Sequence, residues 1–239
     1  MMEQNRFGFF SSIPTVTKNL IIINFLCWLA TLALPRFGVD LVSMFGLHFP
    51  AAPNFRFYQL FTYMFLHAPN SINHVFFNMF AVFMFGRTLE TVWGPKRFLL
   101  FYLATGVGAG IVQELTWIYS LREILFSNYE MINLNGVELI TKADFFNRHI
   151  TIGASGAVFG ILLAFGMLFP NTPLFLLFLP IPIKAKYFVA IYGVIELFLG
   201  VANFSGDNVA HFAHLGGMLF GYFMIRYWKK KDRNRGYLY

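Results

Sequence analysis

Hydrophobic positions along this chain occur in long blocks separated by short polar breaks. Six blocks could cross a hydrocarbon core of roughly 30 Å as helices. They cover 19–34, 72–89, 97–117, 153–169, 186–202 and 209–228. The breaks contain helix-ending residues, among them Pro35, Pro69 and the pair Gly94-Pro95. Because unpaired backbone groups are costly in lipid, the pattern predicts six transmembrane helices.

Composition agrees with a membrane protein. Of the 239 residues, 57% are hydrophobic and 12% are charged, whereas soluble domains average about 25% charged residues. The single cysteine, Cys27, excludes an intrachain disulfide. We therefore expect an all-α polytopic membrane protein with a six-helix bundle. Its parts would be a cytoplasmic N-terminal segment (1–18), a membrane domain (19–228) and a basic cytoplasmic tail (229–239).

The distribution of positive charge predicts the orientation. An even number of spans puts both termini on one side, and that side carries 13 of the 18 lysine and arginine residues. Cytoplasmic loops are richer in these residues, so both termini are expected in the cytoplasm. The net charge of +7 comes without a basic groove with interleaved aromatic residues, so no nucleic-acid partner is expected. We assign no chemistry to the outer loop 118–152.

Four polar residues from three predicted spans fall at one depth near the outer surface. Ser155 begins the fourth span, His214 lies about two turns into the sixth, and His74 and Asn78 begin the second. His74 and Asn78 are four residues apart and so share a helix face. Each residue alone has an ordinary structural explanation, such as a bond to its own backbone or to a neighbouring helix. Ionisable groups inside a membrane are costly, so two histidines at the same depth as Ser155 and Asn78 indicate a functional site.

Small residues could bring two of these side chains together. Gly156, Gly160 and Ala164 form a stripe of small residues on the fourth span. Gly217 and Gly221 continue the face of His214 on the sixth. Such stripes let two helices approach closely. If they pack together, Ser155 and His214 come within hydrogen-bond reach, as a nucleophile and its general base require.

Other ionisable residues lie near the same region. His211 precedes His214 by three residues, which is weak evidence for a metal site, and no H-E-x-x-H helix is present. We expect His211 to support His214, and His67, just before the second span, is a further candidate for the same pocket. Neither a metal nor another cofactor is expected. Glu196 falls in the middle of the fifth span without a predicted role.

These motifs, in this order, resemble those of the rhomboid family of intramembrane serine proteases, in its bacterial six-span form. They are His74-x-x-x-Asn78, Gly153-Ala154-Ser155-Gly156 and Ala213-His214-x-x-Gly217-x-x-x-Gly221. The stretches "FTYMFLH" and "WGPKRFLLFYL" also look like the family, and the likeness extends over about 58–228. The family often has an aromatic residue followed by arginine in the first outer loop, where this chain has Tyr58-Gln59.

The resemblance implies a Ser155–His214 dyad with no acid. It also implies an oxyanion hole made of His74, Asn78 and the backbone N–H of Ser155. Supporting roles are expected for Gly153, Gly156, Gly217 and Gly221, besides His211. The reaction would be cleavage of transmembrane segments of membrane protein substrates within the lipid bilayer, in a bacterial inner membrane. The fifth span and the 203–208 loop would move to admit the substrate.

Two alternatives remain open. The first is a catalytically inactive rhomboid-like protein that binds transmembrane helices, which a missing serine or histidine would favour. The second is a transporter or channel that uses the histidines to conduct protons; the absence of an internal sequence repeat weakens it.

Overall fold

The structure, a computed structural model, describes residues 12–134, 136–176, 179–202 and 210–234. In chain order its helices are α1 (Thr15–Ala33), α2 (Leu41–Phe45), α3 (Gln59–Thr62), α4 (Ile72–Ala81), α5 (Arg87–Trp93), α6 (Pro95–Ser120), α7 (Arg122–Leu125), α8 (Lys142–Asn147), α9 (Ser155–Leu168), α10 (Ala185–Ala202) and α11 (His211–Asn234). A π-helical turn, Val82–Gly86, joins α4 to α5 into one continuous rod. The expected all-α polytopic class is confirmed. The 203–208 loop lies outside the described residues.

The described helices differ in how well they suit a full membrane crossing. Four segments are long and apolar enough by length and composition, namely Thr15–Phe37, Ile72–Trp93, Pro95–Ser120 and Ala185–Ala202. The apolar α9 has only 14 residues, which gives a length of about 21 Å. It is therefore shorter than the roughly 30 Å hydrocarbon core. The last helix, α11, continues past the predicted end of the sixth span at 228 into the basic tail.

The short helix α9 is the centre of the bundle and packs against α6 and α11. Most of its residues are buried, and its sequence, SGAVFGILLAFGML, contains no charge. A side chain at Gly160 would lie 2.7 Å from Cβ of Thr105 on α6, so glycine is what permits this approach. In contrast, α10 packs mainly against α9 and α11 and leaves many apolar side chains facing outward, as lipid contact requires.

Short strands organise the loops. Strand β1 (Leu47–His48) pairs antiparallel with β4 (Ile150–Thr151), and β2 (Met131–Leu134) forms a hairpin with β3 (Glu138–Thr141). Strands β5 (Pro173–Leu176) and β6 (Leu179–Lys184) form a third pair. The described part of segment 118–152 thus has regular structure that its sequence pattern did not indicate. The β1–β4 pair holds the segment between α2 and α3 against the segment that leads into α9.

Buried Gln59 anchors the segment 44–56 at the position where the sequence departs from the rhomboid pattern. Its Oε1 accepts hydrogen bonds from the backbone N–H groups of Arg56 (3.0 Å) and His48 (3.4 Å). Its Nε2 donates to the carbonyl oxygens of Asn54 (3.0 Å) and Met44 (3.3 Å). The amide therefore binds four backbone groups and fixes the conformation of this segment.

Glu90, on the rod formed by α4 and α5, binds the beginning of α1. Its carboxylate accepts hydrogen bonds from the backbone N–H groups of Val16 (2.9 Å) and Thr17 (2.7 Å) and from Oγ1 of Thr17 (2.8 Å). The first N–H groups of a helix lack intrahelical partners and carry partial positive charge, so they suit a carboxylate. On sequence alone, Glu90 suggests an ion pair with Arg87 or Lys96; its actual role is this cap.

Candidate active site

Ser155 and His214 meet where α9 and α11 cross. Ser155 is the first residue of α9 and His214 lies in the first turn of α11. Oγ of Ser155 is 2.7 Å from Nε2 of His214, a hydrogen bond between side chains 59 residues apart. Both side chains lie at the beginnings of their helices, which places the pair at one end of the bundle.

The predicted glycine stripes face each other below this pair. A Cβ on Gly217 would overlap the carbonyl oxygen of Gly156, and one on Gly221 would lie 3.5 Å from Cα of Gly160. Backbones can approach this closely only where side chains are absent. The glycines therefore set the helix separation that lets the serine and histidine touch.

His74 faces the same space as the serine. Nε2 of His74 and Oγ of Ser155 would lie 2.8 Å and 3.7 Å from a Cβ built on Gly153, which has a φ of +133°. The backbone N–H of Ala68 donates to Nδ1 of His74 at 3.3 Å. A neutral imidazole that accepts at Nδ1 carries its proton on Nε2. His74 can therefore present an N–H group beside the serine hydroxyl.

Asn78 is held along its own helix. Its Nδ2 donates to the backbone carbonyl oxygen of His74, one turn earlier, at 2.8 Å. Since the side-chain amide has two N–H groups, at most one remains for another acceptor. Asn78 can therefore offer at most one N–H to a ligand, the same number as the neutral imidazole of His74, and its bond to the His74 carbonyl restricts where that N–H can point.

The backbone N–H of Ser155 is a further donor. Because α9 begins at Ser155, this group belongs to the helix turn that has no intrahelical acceptors. The same helix end carries partial positive charge, which attracts a developing anion. The site thus brings together a serine hydroxyl, an imidazole nitrogen and two differently positioned N–H donors.

Phe159 was not singled out from the sequence. Its ring stacks on that of His214 with centroids 4.3 Å apart and an interplanar angle of 6°. The spacing could have indicated a role, because Phe159 follows Ser155 by four residues and therefore lies on the same face of α9. The stacked ring restricts the imidazole to one plane.

Glu196 from α10 and His211 from α11 complete the surroundings of His214. Oε2 of Glu196 is 2.8 Å from Nδ1 of His214 and 2.7 Å from Nδ1 of His211. All three side chains are buried. His211 thus supports His214 through the shared carboxylate. His67, which is fully buried, packs edge-on against His74 with ring centroids 5.0 Å apart.

Comparison with known proteins identifies the family of this chain. The family model of the rhomboid domain matches residues 54–231, most of the chain. The chain belongs to the rhomboid family. This match includes the helices that carry Ser155, His214, His74 and Glu196, and it begins shortly before Gln59.

The rhomboid is similar to several named proteins. It is 30% identical over 69% of its length to RHOMBOID-like protein 6, mitochondrial, from Arabidopsis thaliana, and 28% identical over 86% to Rhomboid-like protein 11, chloroplastic, from the same organism. It is 29% identical over 70% of its length to Rhomboid protease GluP from Bacillus subtilis (strain 168). The aligned regions cover 41%, 62% and 25% of these relatives, so the chain spans less than two thirds of each.

These comparisons establish an integral membrane protein of a family that includes intramembrane proteases. Two of the three relatives have organelle names, so a bacterial inner membrane and cytoplasmic termini stay predictions. The roles of Ser155, His214, His74 and Asn78 are likewise predictions, and their geometry supports a specific chemistry.

Proposed function

We propose that this rhomboid is an intramembrane serine endopeptidase that cleaves transmembrane segments of membrane proteins. The observation that carries the proposal is the 2.7 Å distance between Oγ of Ser155 and Nε2 of His214. A serine hydroxyl is a weak nucleophile until a neighbouring base removes its proton. An imidazole nitrogen at hydrogen-bond distance is such a base.

The proposed reaction begins with attack of Oγ of Ser155 on a peptide carbonyl while Nε2 of His214 takes the hydroxyl proton. The carbonyl oxygen becomes an oxyanion, which accepts hydrogen bonds from Nε2 of His74 and the backbone N–H of Ser155. Losing one donor of this kind typically lowers kcat by about 10²–10³-fold. His214 then gives its proton to the departing amine, and water hydrolyses the acyl-enzyme with the same base.

The position of the site suits a substrate that comes from the membrane. Because α9 is shorter than the hydrocarbon core, a nucleophile at its first residue can lie below the membrane surface yet within reach of water. The peptide carbonyls of a transmembrane helix are engaged in internal hydrogen bonds. A substrate segment must therefore unwind locally before Ser155 can attack it.

The decisive test is covalent labelling with a fluorophosphonate probe in proteoliposomes, together with cleavage of a model transmembrane substrate. We expect the unaltered protein to be labelled and to cleave, and Ser155→Ala and His214→Ala to do neither while remaining folded. Equal cleavage by purified Ser155→Ala would rule out the serine mechanism.

The alternative of an inactive helix-binding rhomboid makes the opposite prediction. Such a protein binds a transmembrane segment without becoming labelled or cleaving it. The closely placed hydroxyl and imidazole favour the enzyme, because a binding protein has no need of a base aimed at a serine.

A further inference from the structure

A carboxylate lies on the side of the His214 ring opposite Ser155. Oε2 of Glu196 is 2.8 Å from Nδ1 of His214, while Nε2 of the same ring is 2.7 Å from Oγ of Ser155. Glu196 is buried and lies inside α10, about a turn and a half before the helix ends at Ala202. Ionisable groups at such positions are costly and indicate a function.

The bond to Glu196 determines which ring nitrogen of His214 carries the proton. An ionised carboxylate only accepts hydrogen bonds, so Nδ1 must be the donor. A neutral imidazole has one donor and one acceptor, which leaves Nε2 with a lone pair directed at Ser155. The opposite tautomer would present an N–H to the serine and could not remove its proton.

We propose that Glu196 is a positioning residue of the site, which holds His214 in the tautomer and orientation that a general base requires. This inference rests on the proposed function and replaces the acid-free dyad implied by the family resemblance with a Ser155–His214–Glu196 triad.

The carboxylate also pairs with the charge that forms during the reaction. When Nε2 takes the serine proton, the ring becomes an imidazolium, Nδ1 keeps its own proton and Glu196 stays ionised. The Nε2 proton later passes to the nitrogen of the departing peptide segment. Opposite charges attract more strongly in a buried site than in water, so the adjacent carboxylate stabilises this step.

His211 helps to stabilise the buried carboxylate of Glu196. Its Nδ1 lies 2.7 Å from the same oxygen of Glu196 and can donate a second hydrogen bond. A buried charge is tolerated only when it is paired and hydrogen-bonded. His211 therefore acts on His214 through Glu196.

The same three residues could in principle hold a metal ion, since their ligand atoms lie within 4.8 Å of one another. The nitrogen–oxygen separations of 2.7 and 2.8 Å are hydrogen-bond lengths. A tetrahedral zinc ion with bonds of 2.0–2.1 Å would hold its ligands about 3.3 Å apart. The geometry therefore favours direct hydrogen bonds.

The test compares Glu196→Gln with the unaltered full chain in proteoliposomes. Glutamine keeps the shape, but its amide N–H can donate to Nδ1 and so favour the wrong tautomer. We expect kcat for a model transmembrane substrate to fall on the order of 10²–10⁴-fold, the upper figure being that of a carboxamide replacement in a Ser-His-Asp triad. KM should stay unchanged, fluorophosphonate labelling should slow in parallel, and Glu196→Asp should restore part of the rate.

The matched control is Glu114→Gln, which removes another buried carboxylate, from α6, whose oxygens have no hydrogen-bond partner among the described residues. This variant should cleave like the unaltered protein. Unchanged kcat in Glu196→Gln, with normal labelling of the unaltered protein, would overturn the positioning role alone. Absence of labelling in the unaltered protein would instead overturn the proposed function.

A second measurement does not depend on a folded variant. Nitrogen-15 NMR of the labelled histidines in the unaltered protein should show His214 protonated at Nδ1 and unprotonated at Nε2. The reverse tautomer would contradict the proposal. So would loss of cleavage on adding a chelator followed by recovery with zinc, because a metal would then occupy the place assigned to the hydrogen bonds.

Discussion

Gly217 faces the carbonyl oxygen of Gly156 so closely that no side chain can be placed between them. This contact lies one turn below His214 on α11 and one residue after Ser155 on α9. The absence of a side chain at Gly217 therefore permits the close approach of α9 and α11. That approach sets the distance between the Ser155 hydroxyl and the His214 imidazole.

Gly217→Ala should consequently damage both stability and activity. Overpacking a close contact typically costs about 1–3 kcal/mol, and a 1 Å displacement of a reacting group can cost about 10²-fold in rate. We expect a lower Tm in detergent and at least this loss of substrate cleavage. Gly221→Ala is the matched comparison, because its nearest neighbour is the ring end of Phe101 at 3.1 Å. Equal effects of the two substitutions would refute the argument.

His74 and Gly153 should act as one unit. A side chain at Gly153 would approach Nε2 of His74 to 2.8 Å and would be strained at a φ of +133°. We expect Gly153→Ala and His74→Ala each to lower kcat by about 10²–10³-fold, the usual loss for one oxyanion donor. The double variant should be little worse than either single variant, since coupled residues are not additive. Full additivity in kcat would show that they act separately.

Asn78→Ala provides the contrast within the same helix. Because the bond to the carbonyl of His74 holds the Asn78 amide along its own helix, we expect a smaller loss of kcat than for His74→Ala. An equal or larger loss would mean that the amide turns toward the substrate during the reaction.

Helical periodicity explains how much of the site could be predicted. The i, i+4 relation of His74 to Asn78 and the glycine stripes follow directly from 3.6 residues per turn. These local patterns also predicted the approach of Ser155 to His214. By contrast, the partner of Glu196 depends on the rotation of α10 relative to α11, which no local pattern specifies.

Sequence patterns also could not predict the long-range contacts that short segments make. Strands β1 and β4 have two residues each, too few for an alternating pattern to be recognised. The cap that Glu90 places on α1 joins residues 73 and 74 positions apart. From the sequence, a nearby arginine or lysine is the simpler partner for Glu90. Spacing along one helix can be read from a sequence, whereas packing between helices cannot.

Phe159 should tune the rate through its stack on His214. Stacking of this kind is worth about 0.5–1.5 kcal/mol beyond burial, which corresponds to roughly 2- to 10-fold in rate. We expect Phe159→Leu to lower kcat by this amount in the cleavage assay. Phe159→Tyr retains the ring and should behave like the unaltered protein. A normal rate for Phe159→Leu would show that Glu196 and the helix contact suffice to orient the imidazole.

Glu90 offers a prediction that separates stability from chemistry. Glu90→Ala leaves the N–H groups of Val16 and Thr17 and the Thr17 hydroxyl without the carboxylate, and unsatisfied buried donors cost about 1–3 kcal/mol each. We therefore expect a clearly lower Tm in detergent. Glu90 lies near the end of the α4–α5 rod, and His74 lies at its opposite end. The fraction of the protein that stays folded should therefore be labelled by fluorophosphonate at the normal rate. Thr91→Ala is the matched control, since the Thr91 hydroxyl donates to the backbone carbonyl of Arg87 at an exposed position. A Glu90→Ala protein of normal Tm would mean that α1 is held by its apolar contacts alone, whereas slowed labelling at full folding would show that the position of α1 reaches the site.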